Sequence, residues 1–100
     1  MTAALIVGGD YVTAIKQTLH SFGIDQITHW GGRKPGDARQ AIPRDTGVVV
    51  MMTDWVNHSV AGKVKRTAER QGVRVVYVRG NGGNLSAALA RLAEDKRLVA

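Results

Sequence analysis

A chain of 100 residues allows a single domain spanning residues 1–100. It has no cysteine, which excludes disulfides, thiolate zinc sites, iron–sulfur clusters and cysteine nucleophiles. The formal charge of +6, from 14 Lys and Arg against 8 Asp and Glu, favours anionic partners such as phosphates, carboxylated cofactors or nucleic acid.

Met1 to Val7 leads straight into an apolar strand with no basic leader region. No apolar run approaches the roughly 20 residues of a membrane span. The expectation is a cytoplasmic protein with no membrane partner.

Ala3-Ala4-Leu5-Ile6-Val7 is a continuous apolar run ending in Gly8-Gly9-Asp10, the pattern of a buried strand meeting a tight turn. Val12, Ile15, Leu19 and Phe22 recur at helical spacing, and Gly23 is placed as the stop. A second strand is predicted from Asp25 to Trp30. Gly31 to Thr46 is polar and holds both prolines, with room for a helical turn from Asp37 to Ile42. Gly47 to Met52 is the most apolar stretch and reads as a central strand.

Val60, Val64 and Ala68 then mark a helix that Asp54 or Asn57 could cap and Gly72 would end. Val73 to Val78 gives a fourth strand, and Arg79 to Asn84 a flexible turn with Asn84 as an N-cap. Leu85, Ala88, Leu89 and Leu92 form the stripe of a last helix. Such alternation predicts an α/β three-layer sandwich, Rossmann-like or flavodoxin-like, with a four-stranded parallel sheet in the order 2-1-3-4. Two exposed sheet edges make a homo-oligomer a reasonable expectation.

In open α/β sheets ligands collect beyond the carboxyl ends of the strands. His29 and Trp30 close the second strand, and Gly31-Gly32-Arg33 follows. Thr53-Asp54-Trp55-Val56-Asn57-His58 follows the third. Two imidazoles, two indoles and several arginines are therefore expected to converge on one small surface.

His58, near a helix start, suits neutral imidazole, the form that ligates metals. A histidine inside a strand, as His29 is, more often serves structure through a hydrogen bond, although its place at the strand's end gives it a second candidacy. Zinc would need three or four ligands, and no H-x-x-x-H or H-E-x-x-H spacing supports it. Heme needs one axial histidine, an apolar wall and cations for its propionates. His58 or His29 could ligate the iron. Trp30, Trp55, Val56, Met51 and Met52 could supply the wall, and Arg33, Lys34 and Arg79 could meet the carboxylates.

Two other binding readings use the same sequence differently. Gly8-Gly9 and Gly80-Asn81-Gly82-Gly83 could cradle a phosphate or nucleotide, though neither the dinucleotide nor the P-loop fingerprint is present. Lys63, Lys65, Arg66, Arg70 and Arg74 form a basic concentration that could bind nucleic acid, or simply be a solvated helix face. A phospho-acceptor receiver would place acidic residues after the first strand, where Asp10 stands alone, and would require a fifth strand that the chain lacks. No serine–histidine–acid arrangement stands out, and binding is preferred over catalysis, with His29 and Asp54 as the acid–base pair if the protein were an enzyme.

Ile6-Val7-Gly8-Gly9-Asp10, His29-Trp30-Gly31-Gly32-Arg33, Ile42-Pro43 and Thr53-Asp54-Trp55-Val56-Asn57-His58, taken together, resemble a small bacterial domain-of-unknown-function family, DUF2325. The resemblance covers nearly the whole chain. It implies a Rossmann-like domain with a site built from Gly9, Asp10, His29, Arg33, Asp54 and His58, and it implies heme b as the cofactor. The combined expectation is a heme-binding oxygen or redox sensor or carrier, with His58 the first choice of axial ligand and His29 the second.

Overall fold

The computed structural model describes residues 3–9, 12–31, 41–79 and 83–99, with no side chain described at 55 or from 93 to 99. Four strands form one parallel sheet: β1 (Ala3–Val7), β2 (Gln26–Trp30), β3 (Thr46–Met52) and β4 (Arg74–Val78), in the order β2-β1-β3-β4. Three helices cover it: α1 (Thr13–Ser21), α2 (His58–Gln71) and α3 (Leu85–Val99).

Position in the sheet explains the strand patterns. β1 and β3 are central, and Leu5, Ile6, Val7, Val48, Val49, Val50 and Met51 are completely buried. A strand covered on both faces has no position left for a polar side chain, hence the unbroken apolar runs. The edge strands instead carry exposed side chains, Gln26 and Thr28 in β2 and Arg74 and Tyr77 in β4.

The register sorts each residue to a face. Ile6 lies opposite His29 and Val50, while Val7 lies opposite Trp30 and Met51. On one face Ala4, Ile6, Val48, Val50, Val76 and Val78 pack with Ile15 and Leu19 of α1 and with Leu85 and Leu89 of α3. On the other, Leu5, Val7, Val49 and Met51 pack with Val60, Val64 and Ala68 of α2, and Trp30 and Ile42 join them. α1 and α2 fall on opposite faces because β1→β2 and β3→β4 step in opposite directions across the sheet. A single crossover hand then requires it.

The helix boundaries have local causes. Gly72 sits in the left-handed region, φ 71°, and its N–H reaches back to Ala68 and Glu69, closing α2. Asn57 opens the same helix, its Oδ1 accepting from the Ser59 N–H at 2.8 Å. Asn84 stands at the expected N-cap position, its carbonyl accepting from the Ala88 N–H at 3.2 Å. Its side-chain amide donates to the Tyr77 carbonyl at 3.2 Å, tying the start of α3 to β4. The helical turn expected from Asp37 to Ile42 falls mostly on residues 37–40, outside the described residues. Among the described residues, no helix is long and apolar enough to cross a membrane.

Candidate functional site

The order β2-β1-β3-β4 puts the change of direction between β1 and β3, and the crevice beyond their carboxyl ends is where such sheets take ligands. At the β1 end the chain turns through Gly8 and Gly9, with φ of 98° and 79°. Side chains rarely adopt these values. A Cβ on Gly9 would also lie 3.4 Å from Val12 Cγ1 and 3.9 Å from Met52 Cγ. Gly9 thus sits in a buried turn packed against Val12, the residue before α1, and Met52 of β3.

Both backbone groups of Gly8 are committed to β2. Its N–H donates to the Trp30 carbonyl at 2.8 Å. Its carbonyl oxygen lies 3.0 Å from Nε2 of half-buried His29. A carbonyl can only accept, so Nε2 carries the proton of that bond, and in the neutral ring Nδ1 presents its lone pair. A backbone carbonyl that fixes the tautomer of an imidazole is the usual outer-shell arrangement behind a metal-ligating histidine.

The β3 end is built otherwise. Thr53 Oγ1 donates to the Val78 carbonyl at 3.2 Å, stapling the end of β3 to β4. A single 3-10 turn, Thr53–Trp55, then lifts the chain toward α2. Asp54, Asn57 and His58 are exposed there, as is Arg79 after β4. His58 is the first residue of α2. At about 100° per residue it stands about 160° from Val60, the side chain that the sheet buries.

The anticipated cluster therefore divides in two among the described residues. Gly8, Gly9 and His29 belong to the β1–β2 corner, and Asp54, His58 and Arg79 to the β3–β4 corner. His29 lies on the α1–α3 face and His58 opens the helix of the opposite face. Strands are spaced about 4.8 Å apart, so β2 and β4 stand roughly 14 Å from each other. Trp30, expected as part of an apolar wall, is 5% exposed and packs in the α2-side core. Successive strand residues face opposite ways, which sends Trp30 inward as His29 faces the other side. Met51 and Met52 are likewise core. Asp10, Arg33, Lys34, Gly80 to Gly82 and the Trp55 side chain lie outside what is described.

No group of three or more His, Asp or Glu placed to hold a metal ion occurs among the described residues. The Gly8 N–H, the first donor a phosphate cradle would use, is already taken by Trp30. Sequence reasoning singled out His29 and Gly8 separately and missed that they are partners. The signal was available in the alignment of two neighbouring parallel strands, both ending in a glycine-containing turn. Thr53 was also passed over as the link from β3 to β4.

A family model described as an uncharacterized protein conserved in bacteria (DUF2325) matches residues 3–92, and the chain belongs to that family. Neither a curated protein nor a solved structure matches the chain.

Proposed function

We propose that this protein binds heme b at the carboxyl edge of its sheet, with His29 rather than His58 as the axial ligand. The observation that carries the reading is the hydrogen bond from His29 Nε2 to the Gly8 carbonyl, 3.0 Å long. It holds the ring in one tautomer and leaves Nδ1 as the donor atom, the arrangement an axial imidazole needs. Heme asks the protein for one such nitrogen, whereas zinc asks for three or four ligands.

When bound, an iron porphyrin with one imidazole supplies reversible diatomic-ligand or one-electron chemistry, which suits a sensor or carrier. The chain's own part is to position and to neutralise. Gly8 orients His29, and Trp30 anchors the end of β2 from the opposite face. Arg33, which follows β2 in the sequence, and Arg79, which follows β4, are the cations available to the propionates.

Titration with hemin, followed in the Soret region, tests the assignment. The wild type and His58→Ala are expected to give the same histidine-ligated spectrum. His29→Ala is expected to lose it and to regain it when free imidazole is added. An unchanged spectrum in His29→Ala would overturn the proposal.

A further inference from the structure

The exposed surface of α2 is the most strongly charged part of the fold and plays no role in the site above. Within His58–Gln71 the helix carries Lys63, Lys65, Arg66 and Arg70 against Glu69 alone, a surplus of three positive charges (four minus one). Three of these fall on one line. Lys63, Arg66 and Arg70 are spaced i, i+3, i+7, so they share one flank of the helix, while Lys65 lies on the other. All are exposed.

Local detail keeps the stripe available. Among the described residues, none of Lys63, Arg66 and Arg70 forms a salt bridge. Arg70 Nη2 makes only a long contact to Thr67 Oγ1, 3.4 Å. Arg66 folds back along the helix over Gly62, where a Cβ would lie 3.7 Å from its Nη1, an ordinary van der Waals contact. Arg66, Glu69 and Arg70 line a shallow surface recess.

We infer that this stripe is a docking surface for the phosphodiester backbone of a nucleic acid. Seven residues at about 1.5 Å each carry the three cations along about 10 Å. At about 3.4 Å per nucleotide of one strand, that spans some three phosphates. Guanidinium groups match phosphate oxygens two at a time, and two of the three cations are arginines. A lipid surface fits less well. Membrane-lying helices bury Trp, Phe or Leu in the bilayer, whereas the apolar side chains of α2, Val60, Val64 and Ala68, are buried in the protein core. Among the described residues, the exposed large apolar side chains, Phe22 and Tyr77, lie outside α2.

The test uses the full chain and a short fluorescein-labelled DNA duplex, with anisotropy read over a series of salt concentrations. Log affinity should fall against log salt with a slope of about −0.9 per phosphate contact, near −2.7 for three. Replacing Lys63, Arg66 and Arg70 together by Gln should weaken binding at low salt at least tenfold and flatten the slope by about that amount. A variant with Lys16, Arg44 and Arg91 replaced by Gln removes the same charge from exposed sites elsewhere and should behave as wild type. Circular dichroism establishes that both variants are folded. The inference is overturned if the two triple variants weaken binding equally, if the duplex does not bind at low salt, or if the chain binds phosphatidylserine vesicles and leaves the duplex free.

Discussion

The two corners of the carboxyl edge treat their histidines in opposite ways. At the β1–β2 corner the backbone does the holding. Gly8 gives its N–H to Trp30 and its carbonyl to His29, so the imidazole is half-buried and fixed in direction. At the β3–β4 corner side chains do the holding: Thr53 ties β3 to β4 and Asn57 caps α2, while His58 stands exposed beside them. A ring fixed by a buried carbonyl has already lost the rotamer freedom that ligand binding would otherwise cost it. An exposed ring at a helix start has not. The difference teaches that proximity to the sheet edge is insufficient to rank candidate ligands; the partner behind the ring decides.

The sharpest way to break that comparison is to remove each histidine in turn. Even an outer-shell partner of a metal ligand is worth roughly 10–100-fold in affinity, so loss of the ligand itself in His29→Ala should cost hemin affinity about 100-fold or more. His58→Ala should leave it within about twofold. Equal losses in a hemin titration would erase the distinction between the corners.

The next effect belongs to the glycine turn. Gly9→Ala combines a positive φ with a Cβ 3.4 Å from Val12 Cγ1, and should lower stability by about 1–3 kcal/mol in urea unfolding. Gly23→Ala has a similar φ of 81° but open space for the methyl group, so about 1 kcal/mol is expected. Should the two variants unfold at the same urea concentration, the packing of Gly9 against Val12 would count for nothing beyond its backbone angle.

These contrasts also mark how far the sequence was readable. The strands are predicted within a residue because apolar runs report burial directly, as Ala3–Val7 and the apolar part of Thr46–Met52 do. The stripe from Leu85 to Leu92, by contrast, marks the start of α3 but not its end at Val99. Gly23 and Gly72 likewise announce helix ends by needing positive φ. The site was less legible. Its convergence was inferred from strand ends alone, and strand ends say nothing about which face a side chain takes. Trp30 and His29 are adjacent in sequence, yet one goes into the α2-side core and the other to the opposite face. The partner of His29 is a main-chain oxygen 21 residues away, which has no side-chain signature at all. Asn84 shows the same limit, since its amide also donates to the Tyr77 carbonyl of β4, a tie that its place before a helix does not announce.

At the β3–β4 corner the expected effects are smaller. Asn57→Ala removes the acceptor that satisfies the Ser59 N–H and should cost about 0.5–2 kcal/mol. Because α2 supplies Val60, Val64 and Ala68 to one whole face, that loss should appear as a lower thermal midpoint for the entire domain rather than as local fraying. Thermal unfolding followed by far-ultraviolet and near-ultraviolet circular dichroism decides this, since coincident curves are required.

The smallest effect separates the corners most cleanly, because the two views of His58 share the stabilisation and differ in the hemin spectrum. The first turn of α2 carries no acidic residue, so no negative charge in that turn complements the positive end of the helix dipole. If His58 is only a surface residue at that terminus, His58→Asp should stabilise the fold by about 0.3–1 kcal/mol at low ionic strength, and salt should diminish the gain. Hemin should bind this variant with the wild-type spectrum. A stabilised variant that no longer gives a histidine-ligated Soret band would move the ligand to the β3–β4 corner, and the Gly8–His29 hydrogen bond would then be a structural tie between two neighbouring strands.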